Sequence, residues 1–284
     1  MKIAVGASSF TGEVPGHEII LNPYGRRLTE AEIIAHLQGA DGLLAGLEPL
    51  NENVFLACPG LKAIARIGIG MDNVDAKAAM RHGIKISNTP DAPTTAVAEM
   101  TLAALLSIAR QIIPANSDLH NGVWKKRMGI SIFGSTVLLI GYGRIGKRFA
   151  QMLEVFDAEM LIYDSLVSEA ELHDLLPRAD IVSLHASGNE PILGEKELAL
   201  MKRPVIILNS ARGGLVDEGA LLKFLGGGSF YWADTFSKEP YCGALIGHPN
   251  VILTPHISTY TKQCREQMEA QAVSNLLEDL NANG

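Results

Sequence analysis

Short apolar runs alternate along the chain with longer segments in which apolar residues recur at helical spacing. The apolar runs are nearly continuous, as expected for strands that are covered on both faces in a parallel sheet. Strands that alternate with amphipathic helices indicate an α/β fold built from βαβ units. The predicted strands are Lys2–Val5, Glu18–Leu21, Gly42–Ala45, Ala63–Ile67, Lys85–Ser87, Thr136–Ile140, Glu159–Tyr163, Ile181–Leu184, Val205–Leu208, Trp232–Thr235 and Val251–Thr254.

The predicted helices fall between these strands. They are Thr29–Leu37, Asn53–Ala57, Ala76–His82, Val97–Ile112, Ile145–Phe156, Glu169–Leu175, Glu195–Met201, Glu218–Leu225 and Thr261–Leu280. Between the two series of elements, Asn88–Pro93 contains two prolines, which end a strand and favour a helix start. The helix Val97–Ile112 is apolar on nearly all sides, so we expect it to be buried against another domain or a second subunit.

The composition fits a globular protein with two α/β domains and excludes several other classes. Of 284 residues, 47% are hydrophobic and 19% are charged, unlike a disordered chain. The net charge of −7 argues against a nucleic acid or an anionic membrane as partner, because both need a basic surface. No apolar run approaches the roughly 18–20 residues of a membrane span. Three widely spaced cysteines and scattered histidines predict neither disulfides nor a metal site, and we expect a soluble, cytoplasmic protein.

A glycine-rich turn, Gly141-Tyr142-Gly143-Arg144-Ile145-Gly146, joins the strand Thr136–Ile140 to a predicted helix. Gly141 permits a tight turn, Gly143 lets a pyrophosphate approach the backbone, and Gly146 lets the helix pack close to the strand. The helix N-terminus adds unpaired N–H groups and a positive dipole. A βα turn without a ligand is the alternative, but the strand–turn–helix context favours a dinucleotide site.

The identity of the dinucleotide is indicated by Asp164, which follows the next strand. It lies 164 − 146 = 18 positions after Gly146, near the roughly 20 expected for the carboxylate that binds the adenosine ribose hydroxyls. A carboxylate there repels a 2′-phosphate, and Ser165-Leu166 offers no arginine to hold one. The sequence therefore predicts NAD rather than NADP.

Polar side chains with catalytic potential follow strands of the second series. Arg212 follows Val205–Leu208, Asp234 and His256 lie at the ends of two further strands, and Glu239 lies in a loop between them. The carboxyl ends of strands form the ligand-binding edge of an open α/β sheet, and a guanidinium suits a carboxylate ligand. Each residue alone has a structural explanation, but their order after successive strands favours a catalytic site.

These motifs resemble the D-isomer-specific 2-hydroxyacid dehydrogenase family, in particular its D-3-phosphoglycerate-dehydrogenase-like branch. The segments that carry the resemblance are Arg66–Asp75, Asn88–Pro90, Val97–Glu99, Ile140–Gly146, Asn209–Gly214, Asp234–Pro240 and Thr254–His256. The resemblance implies two doubly wound parallel-sheet domains. An NAD-binding Rossmann domain would span residues 91–258, and a discontinuous flavodoxin-like substrate domain would combine residues 1–90 with the C-terminal helix in 259–284. It also implies a homodimer with Val97–Ile112 at the interface.

The resemblance further implies hydride transfer between NAD(H) and a D-2-hydroxy acid or its 2-keto acid. His256 would be the general acid in reduction and the base in oxidation, paired with Glu239, while Arg212 would bind the substrate carboxylate and Asp234 the nicotinamide carboxamide. Further substrate contacts are implied at Arg66, Ile69 and Gly70. The implied cofactor-binding residues are Gly141, Gly143, Arg144, Ile145, Gly146, Asp164, His185, Ala186, Ser210, Ala211, Arg212, Asp234, His256 and Ser258.

Several roles stay open. His185 matches a family position near the cofactor, although a packed histidine at the edge of the core fits equally well. Arg66 either binds a substrate anion or forms an ion pair at a strand end. Phosphoglycerate-type relatives often carry an arginine where Gly46 stands, so a phosphate would depend on Arg66, Arg26 or Arg27.

Three connections, Ala7–His17, His185–Leu193 and Leu225–Tyr231, are shorter than the family usually has. The first is too short for a typical crossover helix, so we expect its helix to be truncated or lost. The shortened loops motivate a second hypothesis, in which the fold is kept as an NAD(H)-sensing scaffold without catalysis. A formate-dehydrogenase-like activity is disfavoured because Glu239 stands where that branch is expected to carry another residue.

Overall fold

The computed structural model describes residues 1–164 and 169–282. The chain forms two compact units. The first comprises Met1–Pro93 and the segment that begins at Tyr260, and the second comprises Thr94–Thr259. Ser165 and Leu166, which bear on the choice between NAD and NADP, lie outside the described residues.

Every predicted strand and helix is present within about five residues of its predicted bounds, and one helix, α5, is additional. The strands are β1 (Lys2–Val5), β2 (Glu18–Ile20), β3 (Gly42–Ala45), β4 (Ala63–Arg66), β5 (Lys85–Asn88), β6 (Thr136–Ile140), β7 (Glu159–Tyr163), β8 (Ile181–Leu184), β9 (Ile206–Asn209), β10 (Phe230–Ala233) and β11 (Val251–Leu253). The helices are α1 (Glu30–His36), α2 (Glu52–Ala57), α3 (Ala76–Arg81), α4 (Ala92–Ala109), α5 (Ile112–His120), α6 (Arg144–Leu153), α7 (Glu169–Leu175), α8 (Glu195–Leu200), α9 (Glu218–Phe224) and α10 (Lys262–Asn281).

The first unit is built on a parallel sheet with the strand order β2-β1-β3-β4-β5. This is the flavodoxin-like order. Side chains of α1–α3 share one apolar core with the sheet, while α10 packs against β3, β4 and β5. The predicted flavodoxin-like sheet is therefore confirmed.

Residues 6–17 connect β1 to β2 without a helix, as expected from their number. The buried carboxylate of Glu269 on α10 anchors this loop. One oxygen accepts hydrogen bonds from the N–H of Thr11 at 3.0 Å and from its hydroxyl at 3.3 Å. The other oxygen accepts one from Arg265 at 2.9 Å, and Arg265 also donates to the hydroxyl of Ser9. A buried, hydrogen-bonded ion pair thus fixes a connection that has no helix to pack.

The second unit has a parallel sheet with the order β11-β10-β9-β8-β6-β7. Its two faces are covered by separate apolar cores, since Leu138 and Ile140 pack with α7–α9 whereas Val137 and Leu139 pack with α4 and α6. The doubly wound arrangement is confirmed. Within the described part of the chain β7 is an edge strand, whereas the usual Rossmann order 3-2-1-4-5-6 continues one strand further.

The apolar helix expected at Val97–Ile112 is instead α4, which begins and ends earlier. Pro93 lies in its first turn, where the missing N–H costs little. Gln111 adopts a left-handed conformation with φ of 53°, and a second helix, α5, follows that the sequence pattern did not predict. Among the described residues α4 is the one helix long and apolar enough to cross a membrane, although half of its 18-residue window is buried inside the protein. Buried core helices can have the same length and apolar composition, so α4 does not indicate a membrane. It does correct the prediction that no apolar segment approaches the length of a membrane span.

Candidate functional site

The glycine-rich turn between β6 and α6 combines two sterically required glycines with one that faces open space. Gly141 has φ of 94°, and a Cβ there would lie 2.5 Å from the backbone nitrogen of Ala186. A Cβ on Gly146 would collide with the carbonyl oxygen of Gly141. A Cβ on Gly143, which precedes Arg144 at the start of α6, would meet no atom within 4 Å. The turn therefore leaves room beside Gly143 for a phosphate at the helix N-terminus.

Asp164 lies directly beside this turn. Its Oδ2 accepts a hydrogen bond from the N–H of Tyr142 at 2.7 Å, and the N–H of Gly141 donates to the carbonyl of Tyr163 at 2.7 Å. The structure thus brings together the turn and the carboxylate that the sequence predicts for pyrophosphate and ribose. The residues present fit a dinucleotide.

His185 and Ala186 follow β8 and pack against the same turn. The Nε2 of His185 lies 2.9 Å from the hydroxyl of Ser183, and its ring packs against Phe149 with 5.4 Å between ring centroids. Burial lowers the pKa of His185 to about 4, because a charged imidazolium loses hydration there. His185 is therefore neutral at pH 7 and supplies no positive charge to the site.

The loop after β9 is shaped by Asn209, a residue that the sequence pattern did not single out. Its buried side chain donates to the carbonyl of Arg212 at 2.9 Å and accepts from the N–H of Ala211 at 3.1 Å. Arg212 also donates to the carbonyl of Ala211 at 2.8 Å. The hydroxyl of Ser210 lies 3.2 Å from that of Thr101. The available indication in the sequence was a polar asparagine at the end of an apolar strand, because a buried amide needs hydrogen-bond partners.

Glu239 and His256 form the hydrogen-bonded pair that the sequence predicts. Oε2 of Glu239 lies 3.0 Å from Nδ1 of His256, and Oε1 accepts from the N–H of Phe236 at 3.0 Å. Partial burial favours the neutral carboxyl, but the hydrogen bond and charge of His256, the N–H of Phe236 and the charge of Arg212 outweigh it and lower the pKa of Glu239. An ionised carboxylate only accepts, so Nδ1 carries a proton and Nε2 is the ring atom left for a ligand.

Asp234 holds the turn that carries His256. Because β10 ends at Ala233, two residues before the predicted strand end, Asp234 follows the strand and is 1% exposed. Its Oδ1 accepts from the hydroxyl of Thr254 at 2.6 Å and the N–H of Ile257 at 2.9 Å. Its Oδ2 accepts from the N–H and the hydroxyl of Ser258 at 2.8 and 2.5 Å. This structural role was not foreseen from the sequence, and contact with a carboxamide stays a prediction.

In the first unit, Arg66 ends β4 and folds back over Gly68, where its guanidinium donates to the carbonyl of Ile67. The carbonyl of Ile69 accepts from Asn88 at 2.8 Å, and Gly70 follows in the same half-buried loop. Arg26, which the sequence offered as a phosphate contact, instead forms an exposed ion pair with Glu32, with 2.7 Å between nitrogen and oxygen.

Glu48 is a buried carboxylate at the same sheet edge that the sequence pattern did not single out. It is 1% exposed, and its Oε1 accepts from the N–H of Gly46 at 3.0 Å. Burial raises its pKa, opposed by backbone N–H groups and by the positive charges of Arg66 and Arg27. A lone acidic residue in the apolar stretch Ala45–Leu50 was the available indication.

Comparison with known proteins agrees with this geometry. The profile described as D-isomer specific 2-hydroxyacid dehydrogenase, NAD binding domain, matches residues 102–258. The D-3-phosphoglycerate dehydrogenase of Rattus norvegicus is 34% identical over 271 residues, covering 87% of this chain and 51% of the relative. The chain thus spans about half the length of such curated relatives.

Two solved structures show the same fold over nearly the whole chain. The TT0316 protein of Thermus thermophilus is 32% identical with a TM-score of 0.91, covering 99% of this chain and 97% of that one. A glyoxylate reductase from Paecilomyes thermophila is 25% identical with a TM-score of 0.85, covering 98% of this chain and 95% of that one.

We expect Gly143→Ala to weaken NADH binding by about tenfold or more while leaving thermal stability unchanged. The added methyl group meets no protein atom but occupies the space predicted for the pyrophosphate. Fluorescence titration with NADH and thermal denaturation measure the two effects. Gly141→Ala is the contrasting variant, because its Cβ would meet the backbone of Ala186 and lower stability. Wild-type affinity in Gly143→Ala would mean that the pyrophosphate lies elsewhere.

Acid should destabilise the fold through His185. Its pKa in the folded state is about 4, below the ordinary 6.5, so the unfolded chain binds an extra proton between these values and stability falls as pH drops from 6.5 towards 4. At pH 4.5 the loss is roughly 2–3 kcal/mol. Urea denaturation at pH 7.5 and 4.5 should show a smaller pH dependence in His185→Gln than in wild type or in His120→Gln, an exposed control. Equal pH dependence in all three would contradict this.

Proposed function

Because the chain belongs to the D-isomer specific 2-hydroxyacid dehydrogenase family, we propose that it transfers hydride between NAD(H) and a D-2-hydroxy acid or its 2-keto acid. The observation that carries the proposal is the 3.0 Å pair between Glu239 and His256, in the same unit as Arg212 and the glycine-rich turn. These side chains all follow strands of one parallel sheet, at the edge where such sheets bind ligands.

In the proposed reaction His256 is the general acid and base. Its Nδ1–H is held by Glu239, so in reduction Nε2 donates a proton to the substrate carbonyl oxygen, and in oxidation Nε2 accepts the hydroxyl proton. The ionised carboxylate of Glu239 stabilises the imidazolium. Arg212 binds the substrate carboxylate through its planar guanidinium. When bound, the cofactor would supply the hydride as NADH in reduction and would accept it as NAD⁺ in oxidation.

The same turn geometry supports the positioning role of Asp234 in this reaction. His256 has φ of 54°, a left-handed conformation that costs a non-glycine residue about 1–2 kcal/mol. The hydrogen bonds from Ile257 and Ser258 to Asp234 fix the backbone immediately after it. The imidazole is therefore aimed by a buried carboxylate that is distant in sequence but adjacent in space.

We expect His256→Ala to lower kcat by roughly 10²–10⁴-fold, with a much smaller effect on the Kd for NADH. The assay is NADH oxidation with glyoxylate, pyruvate, hydroxypyruvate and 3-phosphohydroxypyruvate. His82→Gln, a histidine of the first unit that lies 3.6 Å from Glu52, is the control and should retain wild-type kcat. If wild-type protein binds NADH but reduces none of these acids, the alternative NAD(H)-sensing scaffold is favoured instead.

The proposal includes a homodimer, supported by a run of exposed apolar side chains in residues 112–133. Trp124 is 80% and Met128 95% exposed, and a cavity of about 700 Å³ lies beside the segment, lined in part by Met128 and Phe133. The exposed apolar side chains are Ile112, Ile113, Leu119, Val123, Trp124, Met128, Ile130 and Phe133. Apolar surface concentrated in one segment is typical of a protein interface.

A cytoplasmic location also belongs to the proposal. Cys58, Cys242 and Cys264 are free thiols, in keeping with a reducing compartment. The net charge of −7 supports a small-molecule substrate rather than nucleic acid or a membrane surface as partner.

The dimer predicts a mass of about 61 kDa, twice 30.4 kDa, in sedimentation experiments. The double variant Trp124→Glu with Met128→Glu should sediment as a monomer, because burying two carboxylates in an apolar interface is unfavourable. Met80→Glu, at an exposed apolar residue on α3, is the matched control and should remain dimeric. A monomeric wild type would contradict the homodimer.

A further inference from the structure

The buried carboxylate of Glu48 occupies the carboxyl edge of β3 in the first unit. Two glycines make room for it. A Cβ on Gly6 would collide with Oε1 of Glu48, and a Cβ on Gly46 would lie 3.0 Å from Oε2 and 3.0 Å from the Cα of Ala7. A side chain at position 6 would therefore require Glu48 to move, and one at position 46 would require Glu48 or Ala7 to shift.

Arg66 lies at the same edge of the same sheet. In the register of β3 and β4 it is paired with Ala45, three residues before Glu48. Burial raises the pKa of Glu48, and the positive charges of Arg66 and Arg27 oppose this rise, as expected for groups close enough to interact. Because water screens buried groups poorly, the ionised form of Glu48 offsets part of the charge of Arg66.

We propose that Glu48 is a specificity-determining residue that disfavours substrates with an anionic end and selects small 2-keto acids with an uncharged side chain. This inference rests on the proposed function. Ligands of parallel α/β sheets bind at the carboxyl ends of the strands, and Arg66, Ile69 and Gly70 are the substrate contacts predicted there. A phosphate at this edge would meet the acidic side chain of Glu48, and Gly46 beside it supplies no cationic side chain.

Discrimination of this kind works by repulsion as well as attraction. A like charge placed against the unwanted ligand lowers its affinity without improving that of the preferred one. Glu48 accepts a hydrogen bond from the N–H of Gly46, lies close against Gly6 and is 1% exposed, so it cannot rotate away from a bound anion into water without leaving this place. The expected substrates are therefore glyoxylate or hydroxypyruvate rather than 3-phosphohydroxypyruvate.

The test compares kcat/KM for hydroxypyruvate and for 3-phosphohydroxypyruvate, which differ only in the phosphate. Wild-type protein should prefer hydroxypyruvate by about tenfold or more. Glu48→Gln keeps the shape but removes the charge, and should move this ratio about tenfold towards the phosphorylated acid, mainly through a lower KM for it. Glu52→Gln is the matched control, because Glu52 is an exposed carboxylate paired with Arg81 at 2.9 Å, and it should leave the ratio unchanged.

Each outcome bears on the proposal. A wild-type protein that uses the phosphorylated acid as well as hydroxypyruvate overturns it, even if Glu48→Gln does not fold. Equal loss of kcat/KM for both substrates in Glu48→Gln overturns it as well, since that result indicates a purely structural role. In both cases turnover persists and the proposed function stands. Absence of turnover with every 2-keto acid, with NADH bound, overturns the function and the specificity proposal together.

Discussion

The arrangement of the site in the second unit depends on the hydrogen bonds that the buried carboxylate of Asp234 accepts. It accepts hydrogen bonds from Thr254, Ile257 and Ser258, and hydrogen bonds to a charged group contribute about 1.5–3 kcal/mol each. They hold His256 in a left-handed conformation, which places its Nδ1 3.0 Å from Glu239. Thr254 is oriented in turn by the indole N–H of the buried Trp232 at 3.1 Å. One buried carboxylate thus links the end of β10 to the end of β11 and to the turn that carries the imidazole.

A second constraint, the close approach of backbone at the carboxyl edge, organises the cofactor side. Gly141 touches the backbone of Ala186, so the turn after β6 and the loop after β8 can meet only if position 141 has no side chain. In the loop after β8, His185 packs against Phe149, and burial lowers its pKa to about 4. Gly143 faces open space, and Asp164 is fixed to Tyr142. Gly141 and Gly146 are thus required by close packing, whereas the reason for a glycine at position 143 is the predicted pyrophosphate.

The shortened connections show where the sequence was sufficient and where it was not. The loss of a helix between β1 and β2 could be predicted from length alone, because a crossover helix does not fit in so few residues. Its replacement by the ion pair of Glu269 and Arg265 could not, since these residues lie more than 250 positions from Ser9 and Thr11 in the chain. Helix α5 was missed for a local reason. The predicted apolar helix was extended through Arg110 and Gln111 to Ile112, whereas the left-handed Gln111 separates α4 from α5.

The sequence by itself determined the α/β architecture, the glycine-rich turn, Asp164 and the set Arg212, Glu239 and His256, because each depends on local periodicity or on residues that follow strands. Only the tertiary structure decided which hydrogen bonds Asp234, Asn209 and Glu48 make. All three are buried polar groups, and the role of such a group is set by the partners that satisfy it in space rather than by its neighbours in the chain. Sequence position identified them as polar residues near a strand end. Only the fold showed that Asp234 fixes the backbone after His256 and that Glu48 is buried beside Gly46.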